Sequence, residues 1–291
     1  IEEVYRISPI NTGHINSTYL VECRTGKYIL QSLNRKVFRN PYAVMDNIKK
    51  IEEVFDSSGQ DRITVPHFLT AGERNSVETD GEIWRIYEYA EQSGFPENYD
   101  YLTGYAFGKY INLLNAENIV LENTIDNFHD FDSYYKRLPD SVMKRFDGLR
   151  GKLEIFGDIP KRNVHNDAKK DNIIFSEKIT IIDLDTSMRG FVATDYGDII
   201  RSGGDIQNIT QGFAVGLDGI LSDKEIYSLY YGILYVTAEL AMRYIIDSVS
   251  DERYFITKTP EQCRKRSEDL LAQLEYFENN SDIKNIINKA F

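Results

Sequence analysis

The sequence predicts an α+β fold in two parts, a small β-rich N-terminal lobe and a larger, mainly helical C-terminal lobe. Three observations predict it. Residues from about 5 to 90 mostly alternate in strand fashion around one helix. From Phe95 onward, apolar residues recur at helical spacing. That helical stretch is broken once, by two short β-branched runs, Asn172–Phe175 and Ile179–Ile182, on either side of the polar turn Ser176-Glu177-Lys178.

The elements follow in chain order. Tyr19-Leu20-Val21 and Tyr28-Ile29-Leu30 read as paired strands around Arg24-Thr25-Gly26. Asn40-Pro41 starts a helix with a capping side chain and a Pro in the first turn, and Met45, Ile48, Ile51 and Phe55 mark its buried face. Trp84 to Tyr89 reads as a strand leading into the polar linker Ala90-Glu91-Gln92-Ser93-Gly94. The expected division is 1–90 for the first lobe, 91–95 for a hinge and 96–291 for the second lobe, including the hairpin. Two later helices open on capping boxes, Ser222-x-x-Glu225 and Thr259-x-x-Gln262. The first places Tyr227, Tyr230, Ile233 and Leu234 at core spacing, and the second Leu270, Leu271 and Leu274.

Composition narrows the partners. Hydrophobic residues make up 42% of 291, enough for a substantial core. A formal charge of −12 disfavours nucleic acid and anionic membrane surfaces. No apolar run is long enough to cross a bilayer, since the stretch around Gly232–Met242 is interrupted by Glu239, and the N-terminus lacks the build of a signal peptide. Cys23 and Cys263 lie far apart and read as reduced, buried thiols. A cytoplasmic protein with a small-molecule partner is expected.

The chemistry concentrates in Val164-His165-Asn166-Asp167-Ala168-Lys169-Lys170-Asp171-Asn172, followed by Ile181-Ile182-Asp183. Phosphoryl transfer needs a carboxylate to orient the attacking hydroxyl and oxygen ligands for the Mg²⁺ on the nucleotide. Asp167 offers the first, and Asn172 and Asp183 the second. Folding the hairpin about its turn brings Asn172 beside Asp183 at the open end, with Asp167 in the preceding loop. This is the arrangement of a protein-kinase-like fold, with ATP as co-substrate. Asp185 reads either as a further Mg²⁺ ligand or as a solvated loop carboxylate.

"HNDAKKDNIIF…IIDLDT" resembles the aminoglycoside phosphotransferase and choline kinase superfamily. "NTGHINSTYLV", "YILQSLN", "DYGDIIR" and "ELAMRYIIDSVSDERYF" resemble bacterial N-acetylhexosamine 1-kinases within it. The resemblance implies a phosphate-covering turn at Gly13, a sugar contact from His14, and nucleotide contacts from Gln31, Glu88 and Ala90. It also implies that Asp195 and Asp198 brace the catalytic loop, and that Arg243, Tyr254 and Phe255 hold the sugar. Arg243 has an alternative in an internal pair with Glu239, four residues earlier. His67 and His129 read as surface or packing residues.

Gln31 departs from the usual kinase pattern, which has Lys at this point of the strand to clamp the α- and β-phosphates. The helix carboxylate that would pair with it, Glu52 or Glu53, then lacks an evident partner. The expected activity is ATP- and Mg²⁺-dependent phosphorylation of the anomeric hydroxyl of N-acetylglucosamine or N-acetylgalactosamine. Choline or aminoglycoside phosphorylation is the alternative acceptor chemistry. A nucleotide-binding pseudokinase, supported by Gln31 alone, is the alternative of a different class.

Overall fold

The computed structural model describes residues 2–10, 15–117, 119–251, 254–255 and 258–291. It has a kinase-like fold, with a β-sheet N-terminal region and a helical C-terminal part. The chain divides into two compact units. The first comprises residues 1–96, 117–126 and 171–188, and the second comprises 97–116, 127–170 and 189–291.

In the first unit, β1 (Val4–Ile10), β2 (Ser17–Cys23), β3 (Gly26–Ser32), β5 (Val77–Thr79) and β6 (Glu82–Glu88) form one antiparallel sheet in the order β1-β2-β3-β6-β5. The β2–β3 hairpin closes at the Cys23–Gly26 pair, where Gly26 supplies a φ of +137°. Helix α1 (Pro41–Ser57) begins as expected. Asn40 accepts the Ala43 N–H, and Met45, Ile48, Ile51 and Phe55 are all buried. β7 (Ile173–Phe175) and β8 (Ile179–Ile181) form the hairpin, in the register Ile173–Ile181 and Phe175–Ile179, and the short β4 (Ile63–Thr64) adds to β8 in parallel. The hairpin packs with this unit, not with the second one where it was expected. Its outer end is held by the linker: Gln92 Oε1 accepts the Phe175 N–H, and Ser93 donates its N–H to the Phe175 carbonyl.

The second unit is built from α2 (Tyr99–Ala116), α3 (Phe131–Tyr135), α4 (Asp140–Lys152), α5 (Val192–Arg201), α6 (Ile206–Leu217), α7 (Asp223–Val249), α8 (Pro260–Asn279) and α9 (Asp282–Ala290). Both expected capping boxes are formed. Leu270, Leu271, Leu274, Tyr230, Ile233 and Leu234 are buried, but Tyr227 is 57% exposed and pairs through its hydroxyl with Tyr231. It sits on the outer side of the first turns of α7, where a phenol can keep its polar end in water. Helices α5 and α7 touch backbone to backbone, since a Cβ at Gly232 would lie 1.8 Å from the Ala193 carbonyl oxygen. That contact fixes the helix carrying Asp195 against the helix carrying Glu239 and Arg243. Among the described residues, no helix is long and apolar enough to cross a membrane.

Candidate active site

The first unit carries the expected metal ligands. The Ile182 N–H donates to the Asn172 carbonyl at 3.0 Å, so the open end of the hairpin sets Asn172 in register with the residue before Asp183. Asn172 is buried. Asp183 adopts φ 62°, ψ 53° and opens a 3₁₀ turn over Leu184–Thr186. Left-handed backbone is unfavourable for a residue with a Cβ, and Asp is one of the few that adopt it readily. An amide oxygen and a carboxylate fit Mg²⁺, a hard cation that usually takes one or two protein oxygens and completes its shell with phosphates and water. Among the described residues, no three His, Cys, Asp or Glu side chains gather into a metal cage.

Asp185 is placed differently from the expectation of a further metal ligand. It is 2% exposed, and Arg85 grips it with both terminal nitrogens, Nη2 to Oδ2 at 2.9 Å and Nη1 to Oδ1. Asn16 Nδ2 also donates to Oδ2 at 2.7 Å. A carboxylate with both oxygens committed to a cation and an amide has little left for a metal, so Asp185 is an internal anchor here. Gln31 lies opposite Arg85 in the β3–β6 register and accepts its Nε–H at 3.0 Å, while Gln31 Nε2 donates to Thr18 Oγ1. Glu52 is elsewhere, accepting the Phe68 N–H beside His67.

The second unit carries the loop with Asp167. Asp195 accepts the backbone N–H groups of His165 and Asn166 at 2.8 and 2.7 Å, the bracing that the "DYGD" stretch implied. Burial pushes the Asp195 carboxyl up to about 7, against the pull of those two donors, and neighbouring Asp198 adds to the rise. Asp198 itself pairs with Arg201. Asn166 has a left-handed φ of 62°, and Gly190 lies so close that a Cβ there would meet Asn166 Oδ1 at 2.3 Å. Asp167 stays partly exposed, with Lys169 Nζ 2.6 Å from its Oδ2.

His129 is not a surface or simple packing residue. Its Nδ1 lies 2.9 Å from Glu239 Oε2 and its Nε2 lies 3.0 Å from the Asn166 carbonyl. Burial alone would favour the neutral ring. The Glu239 carboxylate outweighs it and holds the imidazole up at about 9, so both ring nitrogens are donors at neutral pH. One turn on from Glu239, Arg243 sits inside a ring of aromatics. Its guanidinium carbon is 4.4 Å from the Tyr254 ring centre, 5.5 Å from Phe255, 5.7 Å from Tyr134 and 5.9 Å from Phe128. Phe255 in turn stacks on Tyr244 at 4.0 Å. The Glu239 oxygen is 4.0 Å from Arg243, a loose pair at most. The structure thus brings Arg243, Tyr254 and Phe255 together and adds Phe128 and Tyr134.

Of the remaining expected residues, Glu88 ends β6, Ala90 follows it in the linker, and Gly13 and His14 lie outside the described residues. Among the described residues, Phe128, Tyr134, Lys169, Arg85 and His129 were missed. Lys169 had a signal in its Asp-x-Lys spacing. Arg85 and His129 had none, because their partners lie 100 and 110 residues downstream.

Residues 120–218 match the family model described as the phosphotransferase enzyme family. Solved structures share the fold over nearly the whole chain. A choline/ethanolamine kinase family protein from Mesorhizobium loti is 16% identical, with a TM-score of 0.63 over 98% of this chain and 92% of its own. A microcompartment-associated aminopropanol kinase is 16% identical, with a TM-score of 0.66 over 94% of each chain. Aminoglycoside 2'-phosphotransferase-IIIa, solved with GDP, is 13% identical, with a TM-score of 0.58 over 99% of this chain and 94% of its own. The family match covers about a third of the chain, and the solved structures share its fold.

Proposed function

We propose that this chain is an ATP- and Mg²⁺-dependent kinase that phosphorylates the anomeric hydroxyl of an N-acetylhexosamine, giving the sugar 1-phosphate. Asp167 is the carboxylate that accepts a hydrogen bond from the attacking hydroxyl and takes its proton as the bond to the γ-phosphorus forms and the bond to the departing ADP oxygen breaks. Its loop is held by Asp195 at two backbone N–H groups and by His129 at the Asn166 carbonyl, so the carboxylate is oriented before substrate arrives. Lys169 adds a positive charge beside it. Asn172 and Asp183 hold the Mg²⁺, whose role is to neutralise charge on the phosphates. Gln31, Glu88 and Ala90 belong to the nucleotide side, and residues 91–95 join it to the remainder of the chain. A cytoplasmic location fits the buried thiols Cys23 and Cys263.

The observation that carries the acceptor reading is the ring of Phe128, Tyr134, Tyr254 and Phe255 around Arg243. Aromatic rings of this kind can cage a quaternary ammonium. Here the protein's own guanidinium fills the cage, so a cationic amino alcohol or aminoglycoside would meet like charge. A neutral sugar instead gains a fork of donors for hydroxyl or acetamide oxygens and an exposed Tyr254 face to stack on. The sugar contact that the resemblance implied for His14 lies outside the described residues.

The test is an acceptor screen by ADP release with Mg²⁺ and ATP. N-acetylglucosamine and N-acetylgalactosamine should support turnover, while choline, ethanolamine, aminopropanol and aminoglycosides should not. Turnover with a cationic acceptor alone would replace this reading with the amino-alcohol one.

A further inference from the structure

The strand that lacks the usual lysine has a cation directly beside it. Gln31 on β3 and Arg85 on β6 are register partners, so their side chains leave the same face of the sheet. Arg85 is only 4% exposed, and its donors are accounted for. Nε and Nη2 donate to Gln31 Oε1 at 3.0 and 2.6 Å, Nη1 and Nη2 donate to the two oxygens of Asp185, and Nη1 also lies 3.9 Å from Met45 Sδ. Asp185 is tied further by Asn16 at Oδ2 and by Thr124 Oγ1, which donates to its backbone carbonyl at 2.8 Å. It is the middle residue of the 3₁₀ turn that Asp183 opens.

Burying such a pair gains little over apolar packing of the same volume, because both charges lose their water. Its value lies in geometry: a planar fork and a carboxylate fix each other's orientation. We infer that Arg85 is the positioning residue of the metal-binding turn, acting from β6 on Asp185. Through Asp185 it holds the left-handed Asp183 ready for a divalent cation. Gln31 completes the device by accepting from the guanidinium, where a lysine would press a second desolvated charge against it. With its donors spent on Gln31 and Asp185, Arg85 leaves the nucleotide phosphates to other groups. This role rests on the phosphotransferase reading and goes beyond it.

The experiment measures binding of a fluorescent ATP analogue, with and without Mg²⁺, to the wild-type chain and to Arg85→Gln, Arg85→Lys and the double variant Arg85→Gln/Asp185→Asn. Circular dichroism melts report folding. The double variant removes the two charges as a pair and carries the test if the single one fails to fold. Half-saturating Mg²⁺ should rise about 10- to 100-fold in Arg85→Gln and in the double variant, the usual consequence of losing a partner behind a metal ligand. Metal-free affinity should stay within roughly twofold of wild type. Arg85→Lys should recover part of the Mg²⁺ response, because an ammonium can pair with Asp185 but cannot grip it bidentately. Unchanged Mg²⁺ dependence in the folded double variant would overturn the inference. So would a large loss of metal-free affinity, which would put Arg85 on the phosphates. A wild-type chain that binds no nucleotide with or without metal would instead overturn the phosphotransferase reading, and this inference with it.

Discussion

Asp195 accepts the backbone N–H of Asn166 at 2.7 Å, one residue before Asp167. Its second oxygen takes the N–H of His165 at 2.8 Å, and all three groups are buried. An amide at this position would keep one acceptor and turn an NH₂ toward the other donor. At about pH 8 and above, where the carboxyl is ionised, Asp195→Asn should therefore forfeit a hydrogen bond to a charged acceptor, about 1.5–3 kcal/mol, seen as a ten- to hundredfold fall in kcat. The KM for ATP should barely move, because the bracing serves the Asp167 loop. Steady-state kinetics with a melting curve would separate this from general unfolding.

Asp183 and Asp185 should fail in different ways. Asp183→Ala should abolish the effect of Mg²⁺ on ATP binding while leaving the fold intact, since it removes an oxygen ligand. Asp185→Ala strands the buried Arg85 and should cost about 3–5 kcal/mol of stability. A titration of Mg²⁺ and a urea melt on both variants would check the contrast. An Asp185→Ala variant as stable as wild type, with its Mg²⁺ response abolished as completely as in Asp183→Ala, would return Asp185 to the ligand set.

The buried pair of His129 and Glu239 predicts a pH dependence of stability. The imidazole is held at about 9 in the folded chain, above its unfolded value of about 6.5. A raised pKa stabilises the fold fully below the unfolded value, and that contribution is lost as pH rises through about 9. His129→Gln keeps a donor but carries no charge. Its deficit relative to wild type, about 3 kcal/mol near pH 6, should shrink steadily towards about pH 9.5. Urea denaturation across that range would show it, and a gap that is flat or grows with pH would contradict the charged pair.

The outline of the fold was readable from local signals. Asn40-Pro41, the two capping boxes and the Ser176-Glu177-Lys178 turn each satisfy backbone groups within a few residues, and each formed where expected. The expectations for Asp167, Asn172 and Asp183 came from spacing and resemblance, and Asp195 accepts the two backbone N–H groups that the resemblance implied. What stayed hidden depends on contacts far along the chain. Nothing near Arg85 announces Asp185, and nothing near His129 announces Glu239. Asp185 looked available as a ligand because nothing in the sequence around it shows its buried partner, Arg85.

Arg243→Ala should raise the sugar KM roughly ten- to a hundredfold, the loss of a charge-assisted hydrogen bond worth about 1.5–3 kcal/mol. The ATP KM should change little, because Arg243 contacts only residues of the second unit among the described interactions. Kinetics varying each substrate in turn would test it, and an equal rise in both constants would remove Arg243 from the acceptor site.

The most direct measurement is ³¹P and ¹³C NMR of the product formed from ATP, Mg²⁺ and N-acetylglucosamine or N-acetylgalactosamine labelled at the anomeric carbon. The phosphate should couple to that carbon, and the reducing end should be lost. Asp167→Asn should form the same product at least about a hundredfold more slowly, the usual contribution of a general base. A 6-phosphate would contradict the account, as would an unchanged sugar with phosphocholine or a phosphorylated aminoglycoside formed in its place.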